Sequence, residues 1–208
     1  MRKAWIWTGC FGLIFLGMMA YLLLAGERDA GRVRREVVRF HVIANSDEAA
    51  DQQLKIKVRD GVFALVEQLF SGCADQQEAL TTARQNQELL RAEGERILRE
   101  NGSEKSVSVE VGPRFFPTRD YGPLAFPAGQ YQTVSIRIGE AEGKNFWCVL
   151  YPALCIAPAV AGRDAEAEMA AVVGEDSTAF LKKADEKQQI KFVLVEWFEW
   201  FKEKFTKT

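Results

Sequence analysis

Apolar and polar residues alternate at period two along "VVRFHVIA", residues 37–44. Val38, Phe40, Val42 and Ala44 share one face, and Val37, Arg39, His41 and Ile43 share the other, which predicts a strand. "NSDE" follows, where Ser46 or Asp47 is placed to cap a helix and the acids suit its positive end. Leu54, Val58, Val62, Leu65, Val66 and Leu69 then recur at helical spacing as far as Ser71-Gly72. Gly61 inside that helix costs roughly 1 kcal/mol relative to alanine. A second helix starts at Asp75, with Glu78 three residues on as in a capping box. Its stripe is Leu80, Ala83, Leu90, Ile97 and Leu98, and Asn101-Gly102 ends it. "SVSVEV", "QYQTVSIRIG" and "FWCVLYP" return to strand patterning, and "PRFFPTRDYGPLAFPAG" between them reads as a long ordered loop with short extended pieces. The order is strand, helix, helix, then three or more strands. It predicts an α+β fold, a mainly antiparallel sheet with two helices on one face. Arg39, His41, Glu110 and Arg137 would lie on the open face of such a sheet.

The two ends read differently. Arg2 and Lys3 precede Ala4 to Gly26, a stretch without charge. As a helix rising about 1.5 Å per residue it would cross a hydrocarbon core of about 30 Å. Leu23 and Leu24 before Ala25 do not make an A-x-A cleavage site, which favours an uncleaved signal anchor over a signal peptide. Arg28, Arg32, Arg34, Arg35 and Arg39 after the span argue for a cytoplasmic flank. The three-residue tail before it resembles an ordinary export signal, and export is the expectation. The organisation is then residues 1–26 as signal anchor or signal peptide, 27–36 as a charged linker and 37–158 as the α+β domain. Residues 159–187 follow as a linker, and 188–208 as an amphipathic helix with Ile190, Leu194, Trp197, Phe201 and Phe205 on one face. Docking on its own domain is the expected use of that helix.

Composition narrows the function classes. The net charge of −2 and the absence of a basic nucleic-acid motif exclude a nucleic-acid role. His41 is the single histidine, and no G-x-S-x-G, H-E-x-x-H or P-loop pattern is present. A zinc site would need His41 with Cys73, Cys148 and Cys155, whose spacing has no C-x2-C pair. No metal, cofactor or catalysis is expected. His41 reads as a strand histidine bonded to a neighbour or as a contact on the open sheet face. Cys148 and Cys155 either pair in an oxidising setting or serve as two small buried hydrophobes.

Five stretches together carry a resemblance: "RFHVIANSD" (39–47), "LKIKVRD" (54–60), "FPTRDYG" (116–122), "FPAGQY" (126–131) and "GKNFWCVLYPALC" (143–155). In that order, behind an export segment, they resemble the stage II sporulation protein R family from about Val37 to Pro158. Phe146 stands where the family commonly has Trp, Ala153 where it has Pro, and Gly61 where it has alanine. "GEAEGKN" also departs from the family's glycine-rich turn. The resemblance implies a signalling protein of endospore-forming bacteria, exported from the forespore into the space between the two sporulation membranes. Its implied partner is a membrane-embedded aspartic-type protease, stage II sporulation protein GA, which processes the sigma-E precursor. The chain would be that protease's activating ligand and no enzyme itself. Carried over by motif, Arg39, His41, Asn45, Asp47, Arg59, Arg119, Tyr121, Lys144, Asn145 and Trp147 are the partner-binding candidates. The alternatives are an exported hydrolase using His41 with Asp47 or Asp120, and a membrane-anchored envelope scaffold.

Overall fold

The computed structural model describes residues 2–121, 124–152, 165–182 and 197; the side chains of 2–12, 15, 165, 166 and 168 stand outside that description. Helix α1 (Arg2–Glu36) leads into β1 (Val38–Ile43), and three helices follow: α2 (Ala49–Phe70), α3 (Gln76–Gln85) and α4 (Gln87–Glu100). Then come β2 (Val107–Phe116), the hairpin β3 (Arg119–Tyr121) and β4 (Leu124–Phe126), β5 (Gly129–Ile138), β6 (Asn145–Tyr151), α5 (Ala165–Val173) and α6 (Glu175–Leu181). The main sheet has strand order β2-β5-β1-β6, and β3 pairs with β4 separately. β1 runs parallel to β5 and antiparallel to β6, while β2 and β5 are antiparallel. The α+β class and the antiparallel-rich sheet agree with the sequence pattern.

The alternation sorts side chains as periodicity requires. Val38, Phe40 and Val42 of β1 join Val134, Ile136 and Ile138 of β5 in a core with Val58, Val62 and Val66 of α2 and Leu90, Ile97 and Leu98 of α4. Three helices cover this face rather than two. The stretch expected as one helix breaks at Asn86, whose side-chain amide donates to Thr82 O (2.8 Å) and whose backbone leaves the helical region. Asp75 caps α3 by accepting from Glu78 N (2.8 Å), as its position predicts.

The second face is open only in part, at exposed Glu110 and half-buried Arg137. Ala30 and Val33 of α1, Leu124 and Phe126 of β4, Met169 and Val173 of α5, and Phe180 and Leu181 of α6 close over Phe116, Tyr131 and Val149. Two expectations are corrected here. Residues 27–36 are the last turns of α1 and not a linker, because Ala30 and Val33 are buried. Residues 165–181 are two helices contributing to a core, since the alanine-rich stretch also carries Met169, Val173, Phe180 and Leu181 at inward positions. The end of α1 is tied down by Gln76 of α3, whose side-chain amide donates to Arg34 O (3.0 Å) and Val37 O (2.7 Å).

The expected membrane span, Ala4 to Gly26, falls within α1. Among the described residues no helix is long and apolar enough to cross a membrane, so the spanning part of the expectation is not supported. The C-terminal helix expected over 188–208 lies outside the described residues apart from Trp197.

Candidate interaction site

β1 places Arg39 and His41 on the second sheet face, and β6 and the β3–β4 hairpin supply what surrounds them. Arg39 is fully buried, although the sequence pattern put it on an open face. Its Nε donates to Cys148 O (2.9 Å) and one Nη to the Tyr121 hydroxyl (2.7 Å). The guanidinium carbon lies 4.3 Å from the Phe116 ring centre, with Tyr131 at 5.0 Å, Phe126 at 5.1 Å and Tyr121 at 5.2 Å. Such faces attract a cation. Among the described residues no carboxylate pairs with it, and Nη1 has no hydrogen-bond partner. Burial pushes its pKa down, and the two tyrosines only partly offset this. Burial likewise pushes the Tyr131 phenol up to about 12.

His41 is 4% exposed and stacks on Trp147, with ring centroids 3.9 Å apart and planes 9° from parallel. Phe116 meets both rings edge-on. Neither imidazole nitrogen has a hydrogen-bond partner, nor does the buried hydroxyl of Ser135, its register neighbour on β5. Burial pushes the His41 pKa down to about 4, against a pull from the nearby Asn145 side chain and with added repulsion from Arg114, Arg137 and Arg39. Arg119, exposed on β3, lies 5.8 Å over the Trp147 ring.

That pKa sets a pH dependence. In the unfolded chain a histidine titrates near 6.5, so between about pH 4 and 6.5 the unfolded state binds more protons. Stability is full above about 6.5 and falls as pH drops through that window, by about 2–3 kcal/mol at pH 4.5. His41→Phe removes this component. Urea unfolding at pH 7 and 4.5 measures it, and equal pH losses in parent and variant would refute the assignment.

Asn45, Asp47 and Lys144 belong to a clamp between the β1–α2 loop and the β5–β6 turn. The Asn45 amide and the Ser46 hydroxyl both donate to Asp51 Oδ2 (2.6 and 2.7 Å), and Lys105 pairs with Oδ1 (3.2 Å). Those hydrogen bonds, the Asn45 one first, hold the Asp51 carboxyl below its usual range. Asn45 Oδ1 accepts from Glu140 N (3.1 Å), and Asp47 Oδ1 accepts from Lys144 N (2.6 Å). Lys55, reaching up from α2, donates to Lys144 O (2.9 Å). Asp47 therefore ties two loops together and does not cap α2. The cap position is Glu48, without a side-chain bond, and Ser46 instead accepts from Glu48 N (3.2 Å). Gly139 and Gly143 are required in the turn, since an added Cβ would lie 2.2 Å from Asn45 Oδ1 and from Ser46 O respectively.

Of the ten candidates, the fold gathers Arg39, His41, Tyr121, Arg119, Trp147 and Asn145 on one sheet face and places Asn45, Asp47 and Lys144 in the clamp. Arg59 is apart from both. It packs 4.7 Å over Phe146, which faces the helices, and pairs with Asp60 (2.6 Å). Cys148 stands in a disulfide whose other end lies outside the described residues, where Cys155 is. Sequence reasoning does not single out Arg114, Ser135 or Gly112. The available signal was the near absence of acids: the four sheet strands hold Arg39, Arg114 and Arg137 but only Glu110.

The fold and these residues define a small α+β domain with a caged buried arginine and a cationic, aromatic sheet face. The chain belongs to the stage II sporulation protein R family, whose family model matches residues 34–161. It is 33% identical over 211 residues to stage II sporulation protein R of Bacillus subtilis (strain 168), an alignment covering 90% of this chain and 94% of that protein. The family's name is that of a sporulation protein and not of an enzyme. No solved structure matches the chain.

Proposed function

We propose that this chain is an exported sporulation signal. It passes from the forespore into the space between the two membranes and activates a membrane-embedded aspartic-type protease, stage II sporulation protein GA, which then processes the sigma-E precursor. The observation that carries the reading is the match over residues 34–161, which spans the whole folded domain up to β6 and includes all five sequence motifs. Export is assigned to the apolar stretch Ala4 to Gly26, as anchor or signal peptide. To activate the protease, the domain must bind its active arrangement more tightly than its inactive one.

The hydrolase alternative draws no support from His41. A general base needs a proton-sharing partner within reach and a pKa near the working pH. His41 is buried, its nitrogens have no partner, its pKa is pushed down to about 4, and Asp47 is spent on Lys144 N. The test is genetic. Deleting the gene is expected to leave the sigma-E precursor unprocessed in the mother cell while the protease is still made, both read by immunoblot. Normal processing in the deletion strain would overturn the proposal.

A further inference from the structure

The second sheet face contains an electrostatic imbalance that the core does not need. Arg114 is paired with Glu110, the one acid of the four strands. Arg137, half-buried on β5, and Arg119, exposed on β3, have no carboxylate partner among the described residues, and neither does buried Arg39. This excess occurs in a chain whose formal net charge is −2. Beside Trp147 the face is polar as well as cationic, with His41 stacked on that ring and Ser135 its register neighbour on β5. Thr133 and Ser135 line up with Gly112 and Glu110 of β2, and a Cβ built on Gly112 would meet nothing within 4 Å. The face is therefore open at its β2 edge, while Thr133 and Ser135 are buried.

We infer that this face, from Arg119 and Trp147 across to Arg137, is the docking surface for an extended acidic polypeptide segment of the chain's partner. Its carboxylates pair with Arg119 and Arg137. Arginine presents a planar fork that matches a carboxylate bidentately, and aromatic and arginine residues dominate interface energetics. Trp147, held between His41 and Arg119, gives the segment a half-exposed apolar anchor. The acidic segment runs along the open β2 edge beside Gly112. Neutral oligomers cannot replace it, because the arginines would be covered without compensation. This deepens the signalling proposal, for which the partner is the protease.

His41 supplies a single reporter, since it is the only histidine in the chain. In full-length protein labelled at histidine with 13C and 15N, octaglutamate is expected to shift the His41 resonances saturably. It should also raise their titration midpoint, because a nearby carboxylate favours the imidazolium. Octaglutamine and inorganic phosphate at equal concentration should bind at least tenfold more weakly. The Arg119→Gln/Arg137→Gln double variant should lose the response. Gly112→Leu, which fills open space on a surface strand, should weaken it at least tenfold while keeping the fold. No His41 response to octaglutamate, an equal response to phosphate, or full binding by the double variant would each overturn the inference. The two readings fail separately. A double variant that binds no octaglutamate yet supports normal precursor processing removes the docking face and leaves signalling standing. Normal processing without the gene removes signalling alone.

Discussion

Arg39→Ala lowers the unfolding free energy of the full-length chain by about 3–5 kcal/mol, while Arg39→Met stays within about 1.5 kcal/mol of the parent. The alanine leaves a large void among Phe116, Tyr121, Phe126 and Tyr131, the rings that surround the guanidinium. Methionine refills most of that volume and faces the same aromatic walls with a polarisable thioether. It gives up the bonds to Cys148 O and Tyr121 Oη, each worth about 1 kcal/mol net. In return it removes a buried cation with one unpaired nitrogen and no carboxylate, whose desolvation costs several kcal/mol. The two terms nearly cancel, which is why the substitutions separate. Urea unfolding at pH 7 measures both, and a methionine variant as unstable as the alanine one would show that the cage outweighs the desolvation.

Gly143→Ala is expected to cost about 3 kcal/mol, whereas Gly61→Ala changes stability by less than about 1 kcal/mol. The added Cβ clashes at similar distances, 2.2 Å at Gly143 and 2.4 Å at Gly61, so distance does not decide the matter. At Gly143 the obstacle is Ser46 backbone oxygen, with its carbon 2.5 Å away, and Gln52 holds that oxygen by a 2.8 Å bond. At Gly61 it is Ile97 Cδ1, the tip of a side chain with other rotamers, and alanine returns about 1 kcal/mol of helix propensity. Thermal unfolding of the two variants side by side gives the comparison. Equal losses would mean that Ile97 is as immovable as the backbone.

Much of the domain was legible because its signals are local. The alternation over 37–44 sorted β1 correctly into Val38, Phe40 and Val42 against Arg39 and His41, and Asp75 announced α3. Polarity on one strand face was misleading, however. Arg39 and His41 mark an exposed face by composition, yet distant segments bury them: β4, α5, α6 and the end of α1. Periodicity cannot report which elements will cover a face: the short extended pieces expected in "FPTRDYGPLAF" are β3 and β4, but that Tyr121 bonds a side chain 82 positions earlier is not a local signal. At the site, the motifs gathered residues with different tasks. Asn45 and Asp47 are joinery for the turn around Gly139 and Gly143, while Arg119 and Trp147 face outward. Family pattern gives positions, and only the packing divides them into these roles.

The weld between α1 and the rest of the domain has a mechanical meaning. Ala30, Val33 and Val37 are buried, and Gln76 bonds the carbonyls of Arg34 and Val37, so no hinge separates helix from domain. A helix of 35 residues is about 50 Å long. It acts as a lever arm: whatever grips its far end also sets the compass bearing of the sheet face. Displacing that end sideways by about 10 Å turns the domain through only about 11°. For any molecule that would use that face, the azimuth of approach is therefore set by the helix, since the opposite side presents α2, α3 and α4.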